Sequence, residues 1–577
     1  MIILGLSGAL NHDPSAAILV DGEIVAAVEE ERFVREKHAK GRMPIESARY
    51  CLHTAGISAK EVDVVAFPFA PIPITSPARW HYARRYWYAP DRAVDAIFNG
   101  NRRFRRNRER VLDAGRTLGI NWDRTTFTAV EHHLAHASSA YHLSGFKEKT
   151  AILGVDGKGE YATTFFGYGE NGRIHKLREF YDPDSISGMY GAMTEYLGFD
   201  MLDGEYKVMG MAPYGNPNKY DLSRLIERPD RSRFRVATKY VNTVGLRRYK
   251  EEGLSYYFSP RLVEWLGPRR DGDGTDEPYV HYAAAVQQLF EDTCLDLLDI
   301  YLGDIIRTTG KVAFAGGGAL NVKLNQRILA RGDVDELFVQ PAAGDAGTAL
   351  GAATFVAAAQ GEPLKRMRHV YLGPGFTTRE SIEALEARVD RPRWRLLKDV
   401  PGETADLLAA GHPVAWFQGR MEFGPRALGA RSILGCPSIP GIADRINQQI
   451  KFRERWRPFC PSILDRVARD IINTEHPAPF MTIAFDVADA WKQRIPEVVH
   501  VDGTARVQVV EQETNPRYYA LLEEMERRTG SAVLLNTSLN RRGEPIVNKP
   551  DDALAMFYAS DLQYLVMEDI LVTKGDD

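Results

Sequence analysis

The first thirty or so residues and those that begin at 150 carry the same signature, and this repetition limits the folds open to the chain more than any other feature. Residues 1–9 are an apolar run, and SAAILVDGEIVAAVE (residues 15–29) is two β-rich segments joined at Asp21-Gly22. Asp-Gly and Asn-Gly tolerate positive φ at both central turn positions, so they join antiparallel strands with the correct twist. From Thr150, TAILGVDGKGEYATTFFGYGENGRIHKL is again an apolar strand, a polar glycine-containing loop, a strand, and a hairpin at Asn171-Gly172. Each copy places a short polar loop directly after its first strand, Ser7 to Pro14 and Asp156 to Glu160. Strand type, turn type and loop position agree together, which predicts two related α/β lobes rather than a solenoid of short repeats.

Beyond residue 280 the pattern becomes strand–loop–helix. HYAAAVQQLFEDTCLDLLDIYL reads as a long amphipathic helix, followed by strand VAFAG, a glycine loop, helix ALNVKLNQRIL, strand LFVQP, loop AAGDAG and helix TALGAATFVAAA. Such alternation builds an α/β sheet with its loops gathered at one end. Residues 359–376 (AQGEPLKRMRHVYLGPGF) break into Pro/Gly/basic sequence. A boundary is expected there, with one domain over 1–358 and a second, mixed α/β domain over 370–577.

Composition excludes several classes. The 577 residues carry a net charge of -4, which gives no global reason to expect nucleic acid or an anionic membrane as a partner. Cys51, Cys294, Cys436 and Cys460 form no CxxC pair, which argues against a disulfide framework and a Cys-rich zinc site. No apolar run approaches the roughly 20 residues of a membrane span. The N-terminus lacks a basic region and meets Asp13 too early for a signal peptide, so a cytoplasmic enzyme is expected.

Three groups of residues can carry chemistry. His132 and His136 lie four apart in a helix-like segment, so both imidazoles point to one face and can share a metal. Further ligands are sought in the polar loops, at Asp156 and Asp345; imidazoles with carboxylates suit iron, manganese or zinc better than calcium. Gly316, Gly317 and Gly318 follow an apolar strand and open a helix, a geometry that can hold an anion or serve only as a tight turn; Asn321, one turn on, could read a ribose or a purine. The second domain is rich in guanidinium groups. GRMEFGPRALGARSIL supplies Arg420, Glu422, Arg426 and Arg431, and INQQIKFRERWRPFCPSIL supplies Lys451, Arg453, Arg455, Arg457 and Ser462. LLNTSLNRRGEPIV adds Asn536, Ser538 and Asn540. Convergent guanidinium groups point to a polyphosphate or acyl phosphate.

Arg79 to Arg110 stands apart, with ten arginines interleaved with Trp80, Tyr82, Tyr86, Trp87, Tyr88 and Phe104. Amphipathic helices with a solvated basic face and aromatics in the core account for it more simply than a nucleic-acid surface, and a basic lid over an anionic nucleotide is a third reading.

NHDPSAAILVDGEIVAAVEEERF, EHHLAHASSAYHLSGF, GEYKVMGMAPYG, FAGGGALN, MEFGPRALGARSIL, KFRERWRPFCPSIL and LNTSLNRRGEPIV together resemble the NodU/CmcH family of O-carbamoyltransferases over essentially the whole chain. The resemblance implies an N-terminal duplicated domain of the actin-like ATPase (ASKHA, Kae-like) class and a C-terminal YrdC-like domain. It implies that carbamoyl phosphate and ATP form carbamoyl adenylate in the C-terminal domain. The carbamoyl group then passes internally to a hydroxyl acceptor at the N-terminal metal site. Carried over by motif, His132, His136, Asp156 and Asp345 hold the metal, with Fe2+ the family's occupant and Mg2+ accompanying ATP. Gly316, Gly317, Gly318, Asn321, Asn536 and Ser538 bind the nucleotide or adenylate. Lys451 and Arg453 are catalytic, Arg420, Arg426, Arg431 and Arg457 join them around the phosphates, and His12 stands where a general base would serve. The expected partners are a small-molecule acceptor (a sugar, aminoglycoside or macrolide), with no nucleic acid and no membrane; a homodimer is left open.

Two other readings compete. A modifier of tRNA or protein would call for a basic face or CxxC repeats, and the chain has near-neutral charge and no such repeats. A non-catalytic nucleotide-gated clamp would not need the histidine pair and the Arg/Lys cluster, and both are present.

Overall fold

The computed structural model describes residues 1–574 other than Thr243, Asp273 and Arg455. The chain divides into two units, Met1–Ile24 with Met43–Arg366, and Val25–Arg42 with Met367–Asp577. The division is discontinuous, where the sequence suggested the contiguous ranges 1–358 and 370–577.

In the first unit the duplication is visible strand by strand. One sheet has the order β3-β2-β1-β4-β5, from β1 (Ile2–Leu6), β2 (Ser15–Val20), β3 (Glu23–Glu29, which starts in this unit), β4 (Val64–Phe67) and β5 (Thr126–Ala129). The other runs β8-β7-β6-β9-β10, from β6 (Thr150–Val155), β7 (Ala162–Glu170), β8 (Arg173–Tyr181), β9 (Lys311–Ala315) and β10 (Glu336–Val339). In both, the first strand pairs antiparallel with the second and parallel with the fourth, and the fourth and fifth are parallel. Both hairpins have the turn that their sequence demands: φ is positive at Asp21 and Gly22, and at Asn171 and Gly172.

Helices fill the connections. In the first lobe α1 (Ile45–Ala55) precedes β4, and α2 (Pro77–Arg85), α3 (Pro90–Phe98) and α4 (Arg102–Leu118) separate β4 from β5. Then α5 (His132–Ser144) follows β5. In the second lobe the 31-residue α6 (Tyr279–Thr309) precedes β9, α7 (Val322–Leu329) joins β9 to β10, and α8 (Gly347–Ala359) follows β10. Thus α5 and α8 are equivalent helices of the two lobes, and they pack on each other. A Cβ at Gly351 of α8 would overlap the carbonyl of Ala135, so glycine permits the approach. Ser138 and Thr354 hydroxyls meet across the contact at 2.8 Å. Nearly every residue of α5 is buried, as expected of a helix enclosed on all sides.

The second unit is built on an eight-stranded mixed sheet, order β11-β18-β17-β12-β13-β16-β14-β15. Its strands are β11 (Arg393–Leu396), β12 (Val414–Phe417), β13 (Arg431–Gly435), β14 (Cys460–Leu464), β15 (Gln508–Val510), β16 (Val533–Ser538), β17 (Tyr564–Met567) and β18 (Ile570–Thr573). Trp416, Leu434, Leu534 and Val566 form its core with Leu521, Leu522 and Met525 of α10 (Pro516–Thr529) and Ala405 and Leu408 of α9 (Val400–Ala409). The segment Val25–Arg42 is tied into this unit by the buried Arg32 and the half-buried Arg35. Arg32 donates to the Glu29 carboxylate and to the Gly424 carbonyl, and Arg35 donates to the carbonyls of Pro545 and Ile546.

All four cysteines are free and buried. Among the described residues no helix is long and apolar enough to cross a membrane.

Candidate active site and metal centre

The two lobes bring three ligand-bearing segments of the first unit together at strand ends. His132 and His136 come from the start of α5 after β5, Asp156 from the loop after β6, and Asp345 from the turn between β10 and α8. All four are buried, and one ligand atom of each lies within 4.8 Å of the others. His132 Nε2 stands 3.1 Å from His136 Nε2, 3.6 Å from Asp156 Oδ2 and 3.5 Å from Asp345 Oδ1; His136 Nε2 is 3.7 Å from the same Asp345 oxygen.

The surroundings hold these groups in place. The Pro68 carbonyl accepts from His132 Nδ1 at 3.4 Å, which leaves Nε2 of the neutral ring as the ligand atom. Glu160 accepts the backbone N–H of His132 at 3.1 Å and that of Ala70 at 2.7 Å, anchoring the first turn of α5 where Glu131 makes no side-chain cap. Asp156 Oδ1 accepts the Gly317 N–H at 2.8 Å. Gly316 has φ +94°, and a Cβ there would overlap the Val155 carbonyl. The glycine loop therefore passes tightly beside the end of β6 and fixes Asp156. Asn321 caps α7 through the Leu324 N–H and forms a reciprocal amide pair with Gln287 at 2.9 and 3.0 Å. Its amide is thus committed within the protein. His12, in the loop after β1, pairs through Nδ1 with Asp13 at 2.9 Å and lies 3.7 Å from Asp345 Oδ2.

The second unit gathers its polar residues around the end of β16. The buried Lys451 ammonium donates to the Ser538 carbonyl at 2.7 Å and to the carbonyl and side-chain oxygens of Asn540 at 2.8 and 2.7 Å. Arg453 donates to Asn447 and lies over the Phe459 ring at 4.4 Å, and Arg457 is 3.5 Å from Glu454. Asn536 donates to Ser462 Oγ at 3.1 Å, and Ser462 in turn donates to Gln508 at 2.7 Å. Arg426 is half-buried on the loop before β13. Arg455 lies outside the described residues.

Two arginines expected around the phosphates are placed otherwise. Arg431 is fully buried, its guanidinium over the Phe417 ring at 3.6 Å, and it donates to the carbonyls of Gln418, Gly419, Ala430, Pro374 and Asn548. Arg420 donates to the carbonyls of Gly373, Val25 and Leu372. A guanidinium with five donors collects carbonyls in irregular backbone, and that is the role found. Glu422 complements them, since one oxygen accepts the N–H groups of Leu428, Ala430 and Arg431. Arg431→Leu should therefore destabilise the second unit by about 3–5 kcal/mol through orphaned carbonyls. A large fall in its melting temperature is expected; a raised Km for carbamoyl phosphate with unchanged melting would contradict this placement.

Two family models match the chain. Residues 2–354 match the family model described as carbamoyltransferase N-terminus, and residues 405–574 match carbamoyltransferase C-terminus. The chain belongs to the carbamoyltransferase family. A Synechocystis sp. relative, the uncharacterized protein sll1178, is 37% identical over 99% of this chain and 96% of its own. Nodulation protein NolNO of Sinorhizobium fredii is 34% identical over 100% of this chain and 83% of its own, and NolO of Bradyrhizobium diazoefficiens is 36% identical over 77% and 79%. Full-length HypF, in its phosphate- and nucleotide-bound form, is 12% identical with TM-score 0.32, covering 62% of this chain and 55% of that one, a likeness that carries no argument.

In this carbamoyltransferase the four-residue cluster fits a divalent metal on its own geometry. Ligand atoms about 2.0–2.1 Å from a common ion stand about 3.0–3.4 Å apart, and the observed separations begin in that range. The electrostatics agree. Burial and Asp345 push the Asp156 carboxyl up, but the hydrogen bond from His132 and the charges of His136 and His132 outweigh them and hold it below its ordinary value. Burial likewise raises Asp345, and His132 and His12 overcome it, leaving that carboxyl well below the usual range. Burial lowers His132, while Asp345 and Asp156 raise it further, so it ends well above 6.5. Burial and then the neighbouring His132 push His133 down to about 3.

A bound ion therefore competes with the proton that Asp345 and Asp156 favour on His132. Metal affinity should rise with pH, with proton release on binding, measurable by titration calorimetry in buffers of different ionisation enthalpy. In the absence of metal the sign reverses. Because folding raises the His132 pKa, its stabilising contribution is present below its unfolded value and lost as pH rises through the folded one.

The roles of Glu160 and Gln287 are ones that residue patterns do not reveal. For Glu160 a signal existed, since it closes the polar loop that opens with Asp156.

Proposed function

We propose that the chain is an ATP- and carbamoyl-phosphate-dependent O-carbamoyltransferase that modifies a hydroxyl of a natural product such as a sugar, aminoglycoside or macrolide. In the first half-reaction, in the second unit, water cleaves carbamoyl phosphate to carbamate and phosphate, and the carbamate oxygen attacks the α-phosphate of ATP to form carbamoyl adenylate as pyrophosphate leaves. Lys451, Arg453 and Arg457 supply positive charge for the phosphates, with Arg426 beside them, and Ser538 and Asn536 line the nucleotide loop. In the second half-reaction the acceptor oxygen attacks the carbamoyl carbon, AMP leaves, and the hydroxyl proton passes to His12. Asp13 engages His12 Nδ1, which leaves Nε2 to take that proton. Burial lowers the His12 pKa, but Asp345 and Asp13 raise it more, so the imidazole is a stronger base than usual.

A divalent ion held by His132, His136, Asp156 and Asp345, iron(II) by family resemblance, would supply a Lewis acid for the carbamoyl carbonyl or the adenylate phosphate. The adenylate would lie along the Gly316–Gly318 loop beside Asp156, and Mg2+ would accompany ATP in the second unit.

The observation that carries the reading is the buried two-His, two-Asp cluster in a chain whose two halves both match carbamoyltransferase models. The test is transfer of label from the carbamoyl carbon of carbamoyl phosphate into a panel of hydroxylated sugars, aminoglycosides and macrolides. A carbamate ester on one class, dependent on ATP, is expected. Label that reached only tRNA or protein would defeat the choice of acceptor.

A further inference from the structure

The arginine-rich insertion between β4 and β5 does not join the chemistry described above. Over Arg79–Arg110 it carries ten arginines against three carboxylates, Asp91, Asp95 and Glu109, a local excess of seven positive charges in a chain whose net charge is -4. The tyrosines behave as core. Tyr82 and Tyr86 pack at 4.4 Å, Tyr82 meets Tyr161 edge-on at 5.6 Å, and Ala78 and Ala96 join the same buried cluster. The insertion is also fixed to its lobe: Arg79 is buried and donates to the carbonyls of Ile97 and Ile72, and Arg85 pairs with buried Asp184 at 2.8 Å.

What α2, α3 and the residues beside them turn outward is different. Trp80 is 53% exposed, Trp87 77%, Val94 53% and Phe98 71%. These spacings put Trp80, exposed Arg84 and Trp87 on one side of α2 and its exit, and Val94 and Phe98 on one side of α3. The expectation of solvated basic faces over buried aromatics therefore holds for the tyrosines and fails for the tryptophans. Arg84, Arg102, Arg105 and Arg106 are exposed, and none forms an ion pair among the described residues.

We propose that this insertion is a docking surface for an anionic lipid membrane. Exposed tryptophan and phenylalanine interleaved along the chain with exposed arginines is the pattern of a segment that lies in the headgroup region, the rings entering the acyl boundary and the guanidinium groups holding lipid phosphates. Two other occupants fit less well. A two-fold contact with a second copy would set this excess of positive charge against itself. Single-stranded nucleic acid would use stacking platforms, but the tyrosines are turned inward, and the exposed Val94 and Phe98 would have no partner. The whole-chain charge conceals the patch, since excess acidic residues elsewhere offset it. The proposal stands apart from the chemistry proposed above: the patch contains none of the residues assigned to metal, nucleotide or phosphate.

The test uses the full chain and sedimentation with vesicles of phosphatidylcholine alone, or with phosphatidylglycerol at about seven to three. Binding about tenfold stronger to the anionic vesicles is expected, weakened at about 0.5 M salt and accompanied by a blue shift of tryptophan emission. The double variant W87S/F98S should lose the binding, and R102Q/R105Q/R106Q should lose the preference for anionic lipid, while both keep the wild-type melting temperature. Equal binding to neutral vesicles, no binding to either, or binding unchanged in both variants would overturn the proposal. So would RNA binding without vesicle binding, or a dimer that W87S/F98S dissociates.

Discussion

His136→Ala should lower carbamoyl transfer by a factor on the order of 10³ while leaving carbamoyl-phosphate-dependent pyrophosphate release close to wild type. His136 contributes one of four ligand atoms and has no role in the second unit. With it gone, His132 Nε2 still faces Asp156 and Asp345, but only three ligand groups remain for an ion. Asp345→Asn should act in the same direction, and it also removes the nearest negative charge but Asp13 from His12. Metal content by elemental analysis should fall in parallel with transfer. If transfer survived in a His136→Ala protein that carried no metal, the cluster would be a buried polar network and no reaction centre.

Lys451→Ala should have the complementary effect, with donor-dependent pyrophosphate release lost by about 10²- to 10³-fold and metal binding unchanged. Lys451 is 5% exposed and its ammonium holds the Ser538 and Asn540 carbonyls together, so its removal also costs about 1–3 kcal/mol in the second unit. Lys451→Met, which keeps most of the volume, separates the two effects, because packing is retained and the charge is not. Burial, followed by the repulsion of Arg453, Arg457 and Lys37, lowers the Lys451 pKa well below the ordinary lysine value. The folded state therefore gives up this proton more readily than the unfolded chain does, and stability from this group grows as pH rises through the lowered folded pKa towards the unfolded value. A phosphate anion beside the ammonium opposes that loss and holds the proton. The Km for carbamoyl phosphate should therefore rise with pH, and the slope should flatten in Lys451→Met.

The parts of this architecture that rest on local chemistry were legible in the residues. Asp21-Gly22 and Asn171-Gly172 marked both hairpins because only such pairs sit easily at positive φ. The four-residue spacing of His132 and His136 placed them on one helical face, and the polar loops after equivalent strands pointed to Asp156 and Asp345. What escaped depends on contacts between segments far apart in sequence. Val25–Arg42 reads as a continuation of the first lobe, yet it belongs to the second unit through Arg32 and Arg35, whose partners lie near residues 424 and 545. Arg431 reads as a phosphate ligand because charge suggests solvent or anion, but a guanidinium can instead satisfy carbonyls that irregular backbone leaves unpaired. Trp80 and Trp87 read as core by composition, and only the packing of α2 on α3 decides that tyrosine goes in and tryptophan out.

The central claim is that the second unit activates the carbamoyl group as its adenylate. The most direct measurement incubates purified, metal-loaded protein with ATP and carbamoyl phosphate and follows all nucleotide and phosphate products by phosphorus NMR. AMP and pyrophosphate formed in equal amounts, only when carbamoyl phosphate is present and not in Lys451→Met, is the result expected. ADP with phosphate in their place, or nucleotide turnover indifferent to carbamoyl phosphate, would contradict it.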